Sequence, residues 1–214
     1  MKRSRKGRMI THMVLWSMTI LLYVLVALLI PREKQGQLMS IMFGYFSLLL
    51  IGVTLLIGPL NLLRMRHNPV HLDLRRDVGI WAAITGCWHV VLVIQGRVFD
   101  GSVLLYFLRA GCCGYVPQFT LFGISNDLGL LATVLLLVLL ALSNTFSLRV
   151  LKGKRWKQVQ RLTYLLMLFA AAHTLGYEYL NLREPLFFVF VIALLVLVLV
   201  GQGIGIALTL SRQR

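Results

Sequence analysis

Apolar residues run through this chain in long unbroken stretches rather than in stripes. Six stretches stand out, roughly residues 11–30, 38–63, 77–96, 124–146, 159–180 and 186–210. Each reaches about 20 residues, the length an α-helix needs to cross the hydrocarbon core of a bilayer. The runs are continuous and not alternating, which fits helices and not the strands of a membrane barrel. The expected fold is therefore an all-α integral membrane protein, a bundle of six transmembrane helices.

Polar residues and helix breakers punctuate the runs. Pro31 ends the first, Asn68-Pro69 sits in a basic loop, and Pro185 divides the fifth from the sixth. Gly58-Pro59 lies inside the second run and is expected to kink it. The connection at about 97–123 contains Gly101, Gly111, Gly114 and Pro117 and a short apolar piece, Val103 to Leu108. That piece is too short to span, so it is expected at the interface or dipping back into the membrane. The first run follows Lys2, Arg3, Arg5, Lys6 and Arg8, as in a signal peptide. Its length and the lack of a small-residue cleavage site before Pro31 favour a retained helix. Three parts result: a basic N-terminus (1–10), a transmembrane domain (11–210) and a short tail (211–214).

Composition supports this class. Hydrophobic residues make up 58% of the 214 and charged residues only 14%, too little polar cover for a soluble domain. The formal charge of +15 raises nucleic acid as a partner, but its distribution points to the membrane. With the N-terminus in the cytoplasm, 17 of the 22 Lys and Arg fall on the inner side. Arg32, Lys34, Arg97, Arg109 and Arg183 stay outside. Such a bias is what the positive-inside rule requires of a multi-pass protein with both termini cytoplasmic, in a bacterial inner membrane. Membrane lipid is the expected surrounding and nucleic acid is not an expected partner.

Of five histidines, only His89 and His173 fall deep inside expected spans. Ionisable groups at such depth are functional candidates. Each lies twelve residues past an inner boundary, at Asp77 and Arg161, so the two imidazoles reach one depth on two co-directional helices. That placement suits the axial ligation of a six-coordinate haem b, an electron-transfer cofactor. Gly79, Ala82, Ala83 and Gly86, and Ala170 to Ala172, would leave room for a flat macrocycle or serve close helix packing. Arg97 and Arg109 are placed to pair with haem propionates. Cys87, Cys112 and Cys113 form no CxxC or CxxCH motif and read as free or buried thiols.

Arg75-Arg76-Asp77-Val78-Gly79-Ile80 followed by His89 resembles the third-helix motif of the ferric reductase-like transmembrane family. Trp156 to Tyr164 followed by His173 resembles its W-x-x-L-H-R-L-x-Y…H motif, and Phe122-Gly123 with Asn126-Asp127-Leu128-Gly129 fits the start of its fourth helix. The resemblance covers about residues 44–180. In length, and in lacking an appended flavin or nicotinamide domain, the chain is similar to the MsrQ/YedZ-type haem-binding subunits, which serve a periplasmic reductase. The resemblance implies haem, His89 and His173 as its ligands, and a periplasmic redox partner. One departure stands out: the motif histidine is Gln160 here, and Arg75 occupies the matching place before His89. The expectation is one haem, on the outer side. A flavin (FMN) or quinone near Arg75, Arg76 and Arg161 would then supply electrons, from a quinol or a flavoprotein. A metal reductase of the outer face and a non-redox scaffold that has lost haem are the other readings.

Overall fold

The computed structural model describes residues 5–29, 32–63, 72–95, 102–112, 114–181 and 185–212. Among these described residues seven α-helices dominate: α1 (Arg5–Leu29), α2 (Arg32–Leu63), α3 (Leu72–Ile94), α4 (Leu121–Leu142), α5 (Thr145–Gln160), α6 (Leu162–Asn181) and α7 (Pro185–Ser211). Five of them, α1 to α4 and α7, are long and apolar enough to cross a membrane. The sixth expected span is α6, whose second half carries His173, Tyr177 and Glu178 and is therefore less apolar. The chain is a helical, multi-pass integral membrane protein.

Several boundaries differ from the sequence reading. Helix α3 begins at Leu72, so Asp77 lies within its second turn and not at its edge. Helix α2 runs through Pro59 to Leu63. Between α4 and α6 the basic segment forms a helix of its own, α5, started by the Asn144 side chain accepting from the Ser147 amide. It is interrupted at Lys152, whose φ of 54° is left-handed backbone next to Gly153. The connection before α4 holds a 3-10 turn (Ser102–Tyr106) and a small antiparallel hairpin, β1 (Leu108–Gly111) with β2 (Gly114–Pro117). Its strands are largely exposed. Pro31, Asn68-Pro69 and Gly101 lie outside the described residues.

The helices fall into two compact units whose boundaries cut α3 and α7: Met1–Gly86 with Leu194–Arg214, and Cys87–Ala193. In the first unit, α2 supplies most of the core, through Leu48, Leu50, Ile51 and Leu55. Small residues bring its neighbours close. Added side-chain carbons at Gly52 and Gly201 would collide with Leu194 and Leu56 respectively. The Ser47 hydroxyl donates to the Ala82 carbonyl at 2.8 Å, and Gly79 faces Thr54. Gly79 and Ala82 thus lie where α3 packs against α2.

Among the described residues of this unit one charge is fully buried. Asp77, 0% exposed, accepts from Arg8 at 2.7 and 3.2 Å in a bidentate pair. His12 Nε2 lies 3.4 Å from the same carboxylate. The Trp81 indole donates to His12 Nδ1 at 2.9 Å. That donor makes Nδ1 the acceptor, so the proton of the neutral ring sits on Nε2, facing Asp77. This polar chain ties α1 to α3, while the rest of α1 exposes Met13, Trp16, Leu21 and Leu28. In a membrane protein such a surface meets lipid.

Asp77→Asn should weaken this tie. Arg8 is a third exposed and keeps some solvation, so the loss is expected at about 1–2 kcal/mol. Thermal unfolding in detergent, compared with Arg8→Gln and the double variant, checks it. Coupling between the two positions is expected, and strictly additive effects would refute the pair.

Candidate functional site

In the second unit α4 and α6 form the most extensive helix pair among the described elements. Glycines set their distance. A side-chain carbon at Gly176 of α6 would run into the Ser125 hydroxyl of α4, and one at Gly129 of α4 would stand 2.7 Å from His173 Nδ1. Without those carbons the imidazole of His173 settles directly against the α4 backbone.

There His173 Nδ1 meets the carbonyl oxygen of Ser125 at 2.7 Å. A carbonyl only accepts, so Nδ1 carries the proton and donates. Nε2 then holds the ring's lone pair. A metal-binding imidazole is normally fixed in this way, with its far nitrogen donating to a carbonyl or carboxylate.

The second imidazole comes from α3. The rings of His89 and His173 have centroids 6.2 Å apart and planes inclined at 73°. Two metal–nitrogen bonds of about 2 Å, with about 1 Å from each nitrogen to its ring centre, give roughly 6 Å. Edge-to-face ring pairs fall at similar separations. The hydrogen bond to Ser125 leaves Nε2 as the nitrogen of His173 able to ligate. Among the described residues no group of three or more His, Cys, Asp or Glu converges. A metal held here would take two protein ligands, the number an axially ligated haem iron needs. The residues present fit a haem on these grounds.

Around His173 a polar and aromatic network closes one end of the site. The Tyr177 ring lies 5.1 Å from the His173 ring. Its hydroxyl donates to Asn126 Oδ1 at 2.6 Å, and Asn126 Nδ2 donates to the Tyr106 carbonyl at 3.0 Å. Phe122 fills the space between Tyr106 and Tyr177, with centroids at 6.0 and 5.9 Å. Asn126 is buried and satisfied at both ends of its amide. The connection before α4 is thereby fastened to the helix pair that holds His173.

Of the seven site residues expected from sequence, the structure brings His89 and His173 together. Arg109 stands exposed on β1, and Arg97 lies outside the described residues. Arg75 and Arg76 are half-buried near the start of α3, in the first unit, and Arg161 is exposed at the junction of α5 and α6. Trp156 is buried and donates to the Leu142 carbonyl at 3.1 Å, latching α5 to the end of α4. Gln160 Nε2 is buried with no hydrogen-bond partner among the described residues. Cys87 is half-buried and Cys112 exposed, both as free thiols, while Cys113 lies outside the described residues.

Sequence reasoning missed Ser125, Gly129 and Tyr177 as the immediate setting of His173. Two glycines, Gly129 and Gly176, inside apolar spans were the available signal. A backbone carbonyl acting as the partner left none.

Gly129→Ala should push His173 off the Ser125 carbonyl and cost about 1–3 kcal/mol. Unfolding midpoints check this. The same change in a His173→Ala background should be nearly neutral, and an equal loss in both backgrounds would show that Gly129 serves helix packing alone.

No protein of curated function matches the chain significantly. The profile of the family described as ferric reductase like transmembrane component matches residues 43–171, a segment that includes His89 and stops just before His173. Because that match takes in more than half of the chain, the protein belongs to the ferric reductase-like transmembrane family.

Proposed function

We propose that this chain is a haem b transmembrane electron-transfer protein, with His89 and His173 as axial ligands. The family itself points to a membrane redox role. The observation that carries the finer reading is the His89–His173 pair at 6.2 Å, with the His173 tautomer fixed by Ser125.

A haem held here would supply a one-electron couple without an open coordination position. The protein's part is to hold and tune. The Nδ1–H donation to Ser125 increases the electron density on Nε2 and fixes the rotation of the ring. Gly129 admits the imidazole, and Tyr177 packs on its side. With Gln160 and Arg75 at the places where the family motif would offer further histidines, one haem is proposed.

The topology proposed has six spans, α6 included, with both termini cytoplasmic in a bacterial inner membrane. The distribution of Lys and Arg supports it. His89 then lies about 25 Å along α3 from its inner start at Leu72. A donor that stays in the cytosol, such as a flavoprotein, would be that far away. A quinol moves within the bilayer and can approach the site, so the reading prefers a quinol donor. The acceptor is placed on the periplasmic side, as a redox partner protein.

Purified protein in detergent should show a Soret band and, on reduction, b-type α and β bands. Haem should approach one per chain, and His89→Ala and His173→Ala should each lower occupancy at least about tenfold. A colourless protein from haem-replete cells would sink the proposal, and two haems per chain would overturn the single-site reading. Reconstituted in liposomes, the haem should be reduced by a quinol with no other protein present; a requirement for a flavoprotein would reverse the choice of donor.

A further inference from the structure

We propose that the end of the first unit where α2 stops and α3 starts holds the phosphate of one anionic phospholipid, with Asn61 Nδ2 and Arg76 Nε as donors. Both nitrogens are buried and have no hydrogen-bond partner among the described residues. Asn61 as a whole is only 7% exposed. Burying an N–H without an acceptor is costly, so two such donors together ask for one.

The register of the two helices brings them together. Ser47 of α2 donates to the Ala82 carbonyl of α3, and Thr54 faces Gly79, so the helices run antiparallel. Asn61 is two turns beyond Thr54 on the same face, and Arg76 is one turn before Gly79. Side chains lean towards the start of their own helix. In α2 that turns Asn61 back towards Arg76, and in α3 it turns Arg76 towards Asn61. The remaining axial offset is about 6 Å, within the reach of an arginine.

The charge of this end suits an anion. Arg75 and Arg76 stand near the start of α3 with Asp73, and Arg8 and Asp77 pair with each other. Asp77 is turned to Arg8 and His12 and so does not neutralise Arg76. Arg212 is also at this end, donating to the Leu62 carbonyl at 3.0 Å. The start of the 23-residue helix α3 adds its own positive potential. A phosphodiester offers acceptor oxygens and one negative charge, matching an amide donor and a guanidinium.

Depth selects a lipid as the source. Asn61 lies two residues before the end of α2, and Arg76 in the second turn of α3. That is the level of headgroups, where a lipid phosphate already sits and where basic pockets between helices bind anionic lipids.

The test uses the full-length chain purified from membranes rich in phosphatidylglycerol. Native mass spectrometry should find one such lipid retained per chain. Asn61→Leu and Arg76→Gln should each lower retention about tenfold. Added phosphatidylglycerol should raise the melting midpoint of delipidated wild type and leave both variants unmoved. Asn61→Leu should also melt higher than wild type when delipidated, because its unsatisfied donor is gone, which separates lost binding from misfolding. Equal lipid retention in wild type and variants would overturn the proposal. So would an equal shift from inorganic phosphate or flavin mononucleotide that depends on the same two residues.

Discussion

The candidate site depends on one hydrogen bond, from His173 Nδ1 to the Ser125 carbonyl. It decides which ring nitrogen carries the proton, how the ring is turned, and where its lone pair lies. The bond exists because α4 and α6 approach closely, and they do so because Gly129 and Gly176 present no side chain at the contact. In lipid there is little hydrophobic force between helices, so packing of this kind supplies the association. The sequence feature that builds the helix pair therefore also sets the chemistry of the imidazole.

The solvent imposes a second rule. A polar group inside a span has no water to turn to, so it must be satisfied by the protein itself. Two clusters follow that rule. In the first unit Asp77, Arg8, His12 and Trp81 satisfy one another in a chain that joins α1 to α3. In the second, Tyr177, Asn126 and the Tyr106 carbonyl join α6, α4 and the connection before it. Each cluster sits where helices need to be held in register, and each uses one buried acidic or amide side chain with its groups occupied. Polar residues inside this protein thus act as fasteners as well as candidates for chemistry.

Much of this was legible in the apolar runs. Bilayer thickness fixes the length of a spanning helix, so the existence and type of the long helices followed from counting. The pairing of His89 with His173 was expected from equal counts past Asp77 and Arg161, but α3 starts at Leu72 and α6 at Leu162, so the two rings approach from unequal distances along their helices. What was not legible depended on backbone and on balance. Helix α5 has too many Lys and Arg to read as a span and no apolar stripe to read as anything else. The hairpin after the 3-10 turn is short, exposed and closed by Gly114, a pattern that an expected interfacial segment conceals. Asp77 looked like a boundary residue because it is charged. It is buried because Arg8 comes from another helix to meet it, and such a partner cannot be read from local pattern. Gly79 and Ala82 looked equally suited to a macrocycle and to packing, and Thr54 and Ser47 of α2 stand against them.

Membership of a family does not by itself assign an activity, because function belongs to the site. Against the motif that the sequence resembles, histidine is replaced at two places, Gln160 and Arg75. An amide offers a weakly basic oxygen and a donor nitrogen, whereas an imidazole offers a basic nitrogen whose lone pair suits iron. Gln160 is therefore a poor axial ligand whatever the backbone does around it. On α3, Arg75 is a cation and cannot ligate at all. With neither position offering a ligand, the His89–His173 pair is the imidazole pair among the described residues on which the redox proposal stands.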